Sequence, residues 1–254
     1  MRRKANGAER FELPFDDIDE RQSGGGSFLS PNGAAREPLS GGWNYSSRIL
    51  RPENFEESKL EVPWGPQVCG VDEAGRGPLA GPVAAAAVVL PADFPRGELD
   101  DSKAMSPAGR LRAYETIVSL AIDWSVAWAT FEEIGEFNIL RASLLAMARA
   151  VHFLQAPIGL VAVDGNRLPS LKPRNLSGVN GPLVVGIVKG DAVVPAIMAA
   201  SILAKVARDE LMRMLDAVQP EYGFATHKGY PTANHTAALL KHGPSLWQRR
   251  GFTY

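Results

Sequence analysis

Cysteine is almost absent. Cys69 is the single one among 254 residues, so no intramolecular disulfide can form. A reducing compartment such as the cytoplasm fits that composition. The setting Val68-Cys69-Gly70-Val71 points to a small buried strand residue rather than a reactive thiol. Long apolar runs are missing too, and none approaches the roughly 20 residues needed to span a bilayer. The start Met1-Arg2-Arg3-Lys4 is basic, but the apolar stretch of a secretory signal does not follow it. Net charge is also close to nil, −1 from 27 basic and 28 acidic residues, which by itself does not suggest a nucleic-acid binder. Distribution matters more than the sum. Residues 1–66 carry −2 and residues 67–254 carry +1. Residues 222–254 lack any acid and hold Lys228, Lys241, Arg249 and Arg250 with three of the four histidines. That end reads as a basic surface, suited to a nucleic acid or simply to water.

What is there in quantity is apolar: 45% of the residues, enough for a real core. It is unevenly spread. Residues 1–66 are punctuated by Ser23-Gly24-Gly25-Gly26-Ser27, Pro31-Asn32-Gly33 and Ser40-Gly41-Gly42 and read as a disordered tail. Within it Phe11, Leu13, Phe15 and Ile18 form a short sticky segment, and Trp43 and Trp64 could dock on the domain. From residue 67 the texture changes to a catalytic domain, 67–254. Strands are expected at 68–71, running into Asp72-Glu73, at 82–90, 123–130, 159–163 and 183–188. Helices are expected from Ser106-Pro107 to about 120, over 138–155, over 195–218 and from Pro231 to about 241. Interleaved strands and helices give an α/β class.

Three strand candidates end in carboxylates: Asp72 with Glu73, Asp164 and Asp191. Functional groups in α/β sheets gather where strands end. Adjacent acids can both reach one metal region once the chain leaves the pleat. Four carboxylates raise each other's pKa unless cations intervene. All-oxygen ligands suit Mg²⁺ or Mn²⁺ rather than zinc. Two such ions, about 4 Å apart, would serve phosphodiester hydrolysis. Each acid has a plainer role. Asp164-Gly165 is a common turn pair, and Asp191 could cap the following helix. Pro195 argues against the cap, because a proline in the fourth helical position crowds the preceding turn, so the helix should begin near Val194. Gly75-Arg76-Gly77 offers backbone amides and a guanidinium to a phosphate or ribose. The spacing of Gly75, Gly77 and Gly81 fits a dinucleotide loop poorly, since prolines interrupt it and a β-type run follows.

The run Val71-Asp72-Glu73-Ala74-Gly75-Arg76-Gly77-Pro78-Leu79-Ala80-Gly81-Pro82 resembles the signature of the ribonuclease HII family. So do Asp101-Ser102-Lys103, Val163-Asp164-Gly165, Val188-Lys189-Gly190-Asp191 leading into the segment from Ala199 to Asp209, and the segment from Tyr222 to Pro231. The resemblance spans about residues 67–251. It implies a ribonuclease H-like mixed central sheet flanked by helices, with a C-terminal helical part. It implies an endonuclease for the RNA strand of RNA–DNA hybrids that also cuts 5′ of single ribonucleotides in duplex DNA, leaving 3′-OH and 5′-phosphate. Asp72, Glu73, Asp164 and Asp191 would be the catalytic carboxylates, binding Mg²⁺ or Mn²⁺. Gly75, Arg76 and Gly77 would contact the 2′-OH and phosphates, and Tyr230 would stack on the sugar. Lys103, Lys189 and Ser201 would touch phosphates. A cytoplasmic monomer working in DNA replication and repair follows from the same resemblance. The chain stops soon after Arg249-Arg250-Gly251-Phe252, so the clamp-binding peptide of some relatives is not expected.

Two other readings compete. One is a metal-dependent phosphoesterase or nucleotide hydrolase acting without need of a ribose. The other is a hybrid-binding module without catalysis, which would gain nothing from packed negative charge beside phosphates. Three histidines, 227, 235 and 242, lack a cysteine or acidic partner nearby and are expected at a nucleic-acid-facing or solvent-exposed surface rather than at a metal.

Overall fold

The computed structural model describes residues 47–50, 65–99, 102, 104–171 and 182–252. Its centre is a six-stranded mixed sheet in the order β1-β6-β5-β2-β3-β4. The strands are β1 (Ser47–Leu50), β2 (Val68–Ala74), β3 (Val83–Val89), β4 (Asp123–Ala129), β5 (Leu160–Asp164) and β6 (Leu183–Ile187). β2, β3 and β4 form an antiparallel meander, while β1, β6, β5 and β2 run parallel. The helices are α1 (Pro107–Leu120), α2 (Phe131–Phe137), α3 (Ile139–Phe153), α4 (Pro195–Val218), α5 (Phe224–His227) and α6 (Ala233–His242).

The helix starts have local causes. Ser106 accepts from the Gly109 amide with Pro107 in the first helical position, a cap that stabilises by about 1 kcal/mol. Thr130 and Glu133 form a reciprocal capping box at α2, and Arg149 holds the Glu133 carboxylate through two nitrogens. α4 begins at Pro195 with no side-chain cap, as the proline argument expected. Asp191 is therefore not the cap of α4.

Period-two alternation sorts each strand's residues between two cores. Cys69, Val71, Ala85, Ala87, Val161 and Val163 face α3. Ala86, Val88, Ala162 and Val185 face α4 and α1. Gly70 brings α4 close, since a Cβ there would lie 2.0 Å from the Ala196 carbonyl carbon. The C-terminal segment packs Tyr222, Phe224 and Leu239 onto Met212, Leu215, Leu79 and Ala80, so it is clasped to the loop that follows β2. Cys69 is buried, and burial pushes its thiol pKa well above the ordinary range.

Two expectations are corrected. The segment 1–66 was expected to be a disordered tail, yet residues 47–50 form the edge strand β1, paired in parallel with β6 from Ser47↔Val184 to Leu50↔Ile187. Residues 1–46 and 51–64, with the sticky segment and both tryptophans, lie outside the described residues. Histidines 227 and 235 are buried rather than at the surface, stacked with ring centroids 4.5 Å apart, and of these three only His242 is exposed. Among the described residues no helix is long and apolar enough to cross a membrane.

Candidate active site at the ends of three parallel strands

Sheet register builds the site. β2 and β5 pair in parallel with Val71 opposite Val163, so the next residues, Asp72 and Asp164, stand side by side on one face. Adjacent strands lie about 4.8 Å apart, and carboxylate oxygens of Asp72, Asp164 and Asp191 all fall within 4.8 Å of one another. Asp191 arrives differently. After β6 the chain passes through Lys189, a non-glycine residue in left-handed backbone (φ 59°), into a 3₁₀ turn, Gly190–Ala192. The Asp191 amide donates to Asp164 Oδ1 at 3.3 Å, which ties that turn to the end of β5.

Glu73 departs from expectation. The β2–β3 ladder continues to Ala74↔Ala84, so the chain has not left the pleat at positions 72 and 73. Side chains of successive strand residues point to opposite faces. Asp72 faces the α4 side with the aspartate cluster. Glu73 faces the α3 side, in an open cleft lined also by Arg76, Ser143, Met147, Asp164 and Asn166. Its Oε1 lies 3.3 Å from Arg76 Nη1. The four acids are therefore three together and one beside them, with Asp164 common to both settings.

Asp72 is 5% exposed. Burial raises its pKa well above the usual carboxylate range, and the charges of Glu73 and Asp164 raise it further. A hydrogen bond from the Ser201 hydroxyl opposes that rise. Ser201, itself 5% exposed on α4, also lies 2.8 Å from the Ser102 hydroxyl. With Ser201 donating to Asp72, Ser102 must donate to Ser201. Ser201, expected to touch a phosphate, thus has a hydroxyl neighbour on its inner side. Ser102 was not singled out as a site residue, though its motif was visible. Lys103 lies outside the described residues, and Lys189 is exposed beside the cluster.

The loop from Gly75 to Pro82 flanks the acids. Gly75 has φ 99°, and a Cβ there would meet Arg208 Nε at 1.9 Å, so both backbone and space demand glycine. Arg76 and Gly77 are exposed. A Cβ on Gly77 would sit 3.4 Å from the Tyr230 ring, so loop and tyrosine share one surface. Tyr230 is 41% exposed. Its backbone is held by a chain of contacts. The Gly229 amide donates to His227 Nδ1, His227 Nε2–H donates to the Tyr222 carbonyl, and His235 Nδ1–H donates to the Tyr230 carbonyl.

A partly buried cluster of carboxylates destabilises itself until a cation enters. The donor set is hard oxygen throughout, which fits Mg²⁺ or Mn²⁺.

Comparison with known proteins gives a consistent result. The family model described as Ribonuclease HII matches residues 69–252. A protein named Ribonuclease HII from Burkholderia mallei (strain SAVP1) is 53% identical over 188 residues, covering 74% of this chain and 84% of its own length. The crystal structure of ribonuclease H2 from Pyrococcus horikoshii OT3 is similar with TM-score 0.57 and 26% identity, covering 73% of this chain and 93% of its own. The ribonuclease HII in the PCNA:RNase HII complex from Archaeoglobus fulgidus is similar with TM-score 0.59 and 26% identity, covering 74% and 96%.

Proposed function

This chain belongs to the ribonuclease HII family and is a ribonuclease H enzyme, and from that premise we propose that it incises duplex DNA 5′ of single ribonucleotides, besides degrading RNA in hybrids. The observation that carries the proposal is the meeting of Asp72, Asp164 and Asp191 within 4.8 Å, with the Gly75-Arg76-Gly77 loop, which adjoins the Tyr230 ring, following Asp72-Glu73 on the same strand.

Asp72, Asp164 and Asp191 would hold a divalent cation, and Glu73, in the cleft it shares with Asp164, would serve a second ion or the attacking water. The cation supplies Lewis-acid polarisation of the phosphodiester and charge neutralisation at the leaving 3′-oxygen. The chain's own residues do the rest. Ser201, beside Asp72 and backed by Ser102, would help to orient that carboxylate. Arg76 and Lys189, both exposed at the rim, offer cationic donors to flanking phosphates. The amides of Arg76 and Gly77 offer hydrogen bonds to a 2′-hydroxyl, the group that separates RNA from DNA. The Tyr230 ring lies against Gly77, where it would stack on the neighbouring sugar and favour a deoxyribose lacking that hydroxyl. A cytoplasmic role in removing ribonucleotides during replication and repair accords with this chemistry.

The test is cleavage of three substrates with and without Mg²⁺ or Mn²⁺: an RNA–DNA hybrid, a DNA duplex with one embedded ribonucleotide, and a free nucleotide. The expected result is metal-dependent cutting of the first two only, with 3′-OH and 5′-phosphate ends. Hydrolysis of the free nucleotide would favour a general phosphoesterase, and binding without cutting a passive module.

A further inference from the structure

Arg249 was counted above as part of a basic surface. It is 1% exposed. Its guanidinium donates to five carbonyls of one loop: Nε to Gly81 at 2.7 Å, Nη1 to Arg76 at 3.0 Å and Pro78 at 2.8 Å, and Nη2 to Gly75 at 2.6 Å and Pro82 at 3.1 Å. Arg208, also 1% exposed, approaches the same loop from α4. It donates to the carbonyls of Pro82 at 3.0 Å, Ala80 at 3.3 Å and Lys228 at 3.0 Å. Among the described residues neither guanidinium lies within salt-bridge distance of a carboxylate. Buried cations are ordinarily paired with anions. Here main-chain oxygens take that part.

A peptide unit's carbonyl and amide point in opposite directions. Drawing the carbonyls of residues 75, 76, 78, 80, 81 and 82 toward two buried cations biases the amides between them outward. Two other amides of the loop have internal acceptors where the chain returns: Leu79 donates to Gly229 and Gly81 to Trp247. The Arg76 and Gly77 amides donate to no other described residue, and both residues are exposed beside Tyr230. Two positive charges beneath an outward row of N–H dipoles make a surface for an electron-rich oxygen.

We propose that Arg249, supported by Arg208, is the positioning residue of the ribose-reading loop: it fixes the carbonyls of residues 75–82 inward so that the Arg76 and Gly77 amides face the 2′-oxygen and adjoining phosphate of the substrate. The inference rests on the loop reading given under the proposed function. Arg249 touches no substrate itself; it acts through the loop.

The experiment compares the wild type, Arg249→Gln and Arg249→Lys. Affinity is measured in Ca²⁺, as a non-cleaving probe ion, for two duplexes that differ by one 2′-hydroxyl. Gln keeps a donor without the charge, and Lys keeps the charge without the fork. The wild type should bind the ribonucleotide duplex more tightly. In Arg249→Gln that preference should fall about 10-fold, the effect of losing one or two hydrogen bonds to a polar group. Affinity for the all-DNA duplex should change far less, and the thermal shift on adding Mn²⁺ should persist. Arg249→Lys should recover part of the preference. A folded Arg249→Gln that keeps the full wild-type preference would overturn the proposal, as would equal loss on both duplexes. If Arg249→Gln does not fold, Arg249→Lys decides alone: full preference in that variant shows that the fork is dispensable. Amide hydrogen exchange in the wild type gives an independent reading. Arg76 and Gly77 should gain protection with the ribonucleotide duplex and not with the all-DNA duplex. A wild type with no preference for the ribonucleotide would count against the proposed function instead.

Discussion

At position 72 a buried aspartate stands between two other carboxylates and one serine hydroxyl, and its pKa is raised by burial first and by Glu73 and Asp164 next. A carboxyl whose folded pKa exceeds its unfolded value near 3.8 stabilises the fold only when protonated. That contribution is complete below the unfolded value and lost as pH rises through the folded one. Near neutral pH the metal-free fold is therefore held back by its own active site. Asp72→Asn should raise the metal-free melting temperature, by roughly 2–4 °C for each kcal/mol relieved. It should also remove the stabilisation by Mg²⁺ or Mn²⁺, and Asp72→Asn or Asp164→Asn should lower turnover at least about 100-fold. Differential scanning calorimetry with a cleavage assay checks all three. A folded variant with near-normal turnover in Mg²⁺ would remove the carboxylates from the mechanism. Tyr230 belongs to the same scale. Its ring is exposed and lies outside the core clusters of the C-terminal segment. Tyr230→Ala should reduce cutting at a lone ribonucleotide much more than cutting within a long hybrid, with little change in melting temperature. Equal loss on both substrates together with a large stability loss would assign the ring to packing.

Among the elements, those with strong local signals are legible in the sequence. Pro195 placed the start of α4, Ser106-Pro107 the start of α1, and apolar runs ending in acids placed β2, β5 and β6. That β2 stays pleated through Glu73 was not legible, because strand length depends on pairing with β3, which the local sequence does not encode. Ser47–Leu50 was missed because four residues carry no periodicity, and an edge strand is defined by its neighbour. Arg249 and the two histidines were misread for one reason: sequence reports charge and not burial. The histidine stack carries its own prediction. His235 has its pKa lowered from 6.5, chiefly by burial and also by His227, against its hydrogen bond to the Tyr230 carbonyl. A histidine with a depressed folded pKa contributes stability above the unfolded value, near 6.5, and loses it as pH falls toward the folded one. Thermal melts from pH 7.5 down to 5.5 should show falling stability that a His235→Asn variant shows less of. Parallel curves for the two proteins would mean that His235 does not lose stability in that window.

Across the whole molecule, the aspartate cluster sits at one end of a sheet whose other elements only hold it in place. β1 pairs along the outer edge of β6, which separates it from β5 and β2, the strands that carry Asp164 and Asp72. Removing residues 1–60 exposes the edge of β6 and should lower the melting temperature by a few degrees (roughly 1–2 kcal/mol for a short edge pairing in a protein of this size). Turnover at lower temperature should stay within about two-fold, because Asp164 and Asp191 are positioned by β2, β5 and the turn after β6. An unchanged melting temperature would mean that β1 contributes nothing to stability. Lost activity in a folded truncation would mean that the N-terminal segment reaches the site. The most direct test of the whole proposal needs one pair of labelled duplexes, identical but for a single 2′-hydroxyl, incubated with the wild type in Mg²⁺. One cut immediately 5′ of the ribonucleotide, absent from the all-DNA partner, absent with chelator and absent with Asp164→Asn, is the expected result. Cutting of the all-DNA duplex at a comparable rate, or cutting that survives the chelator, would overturn it.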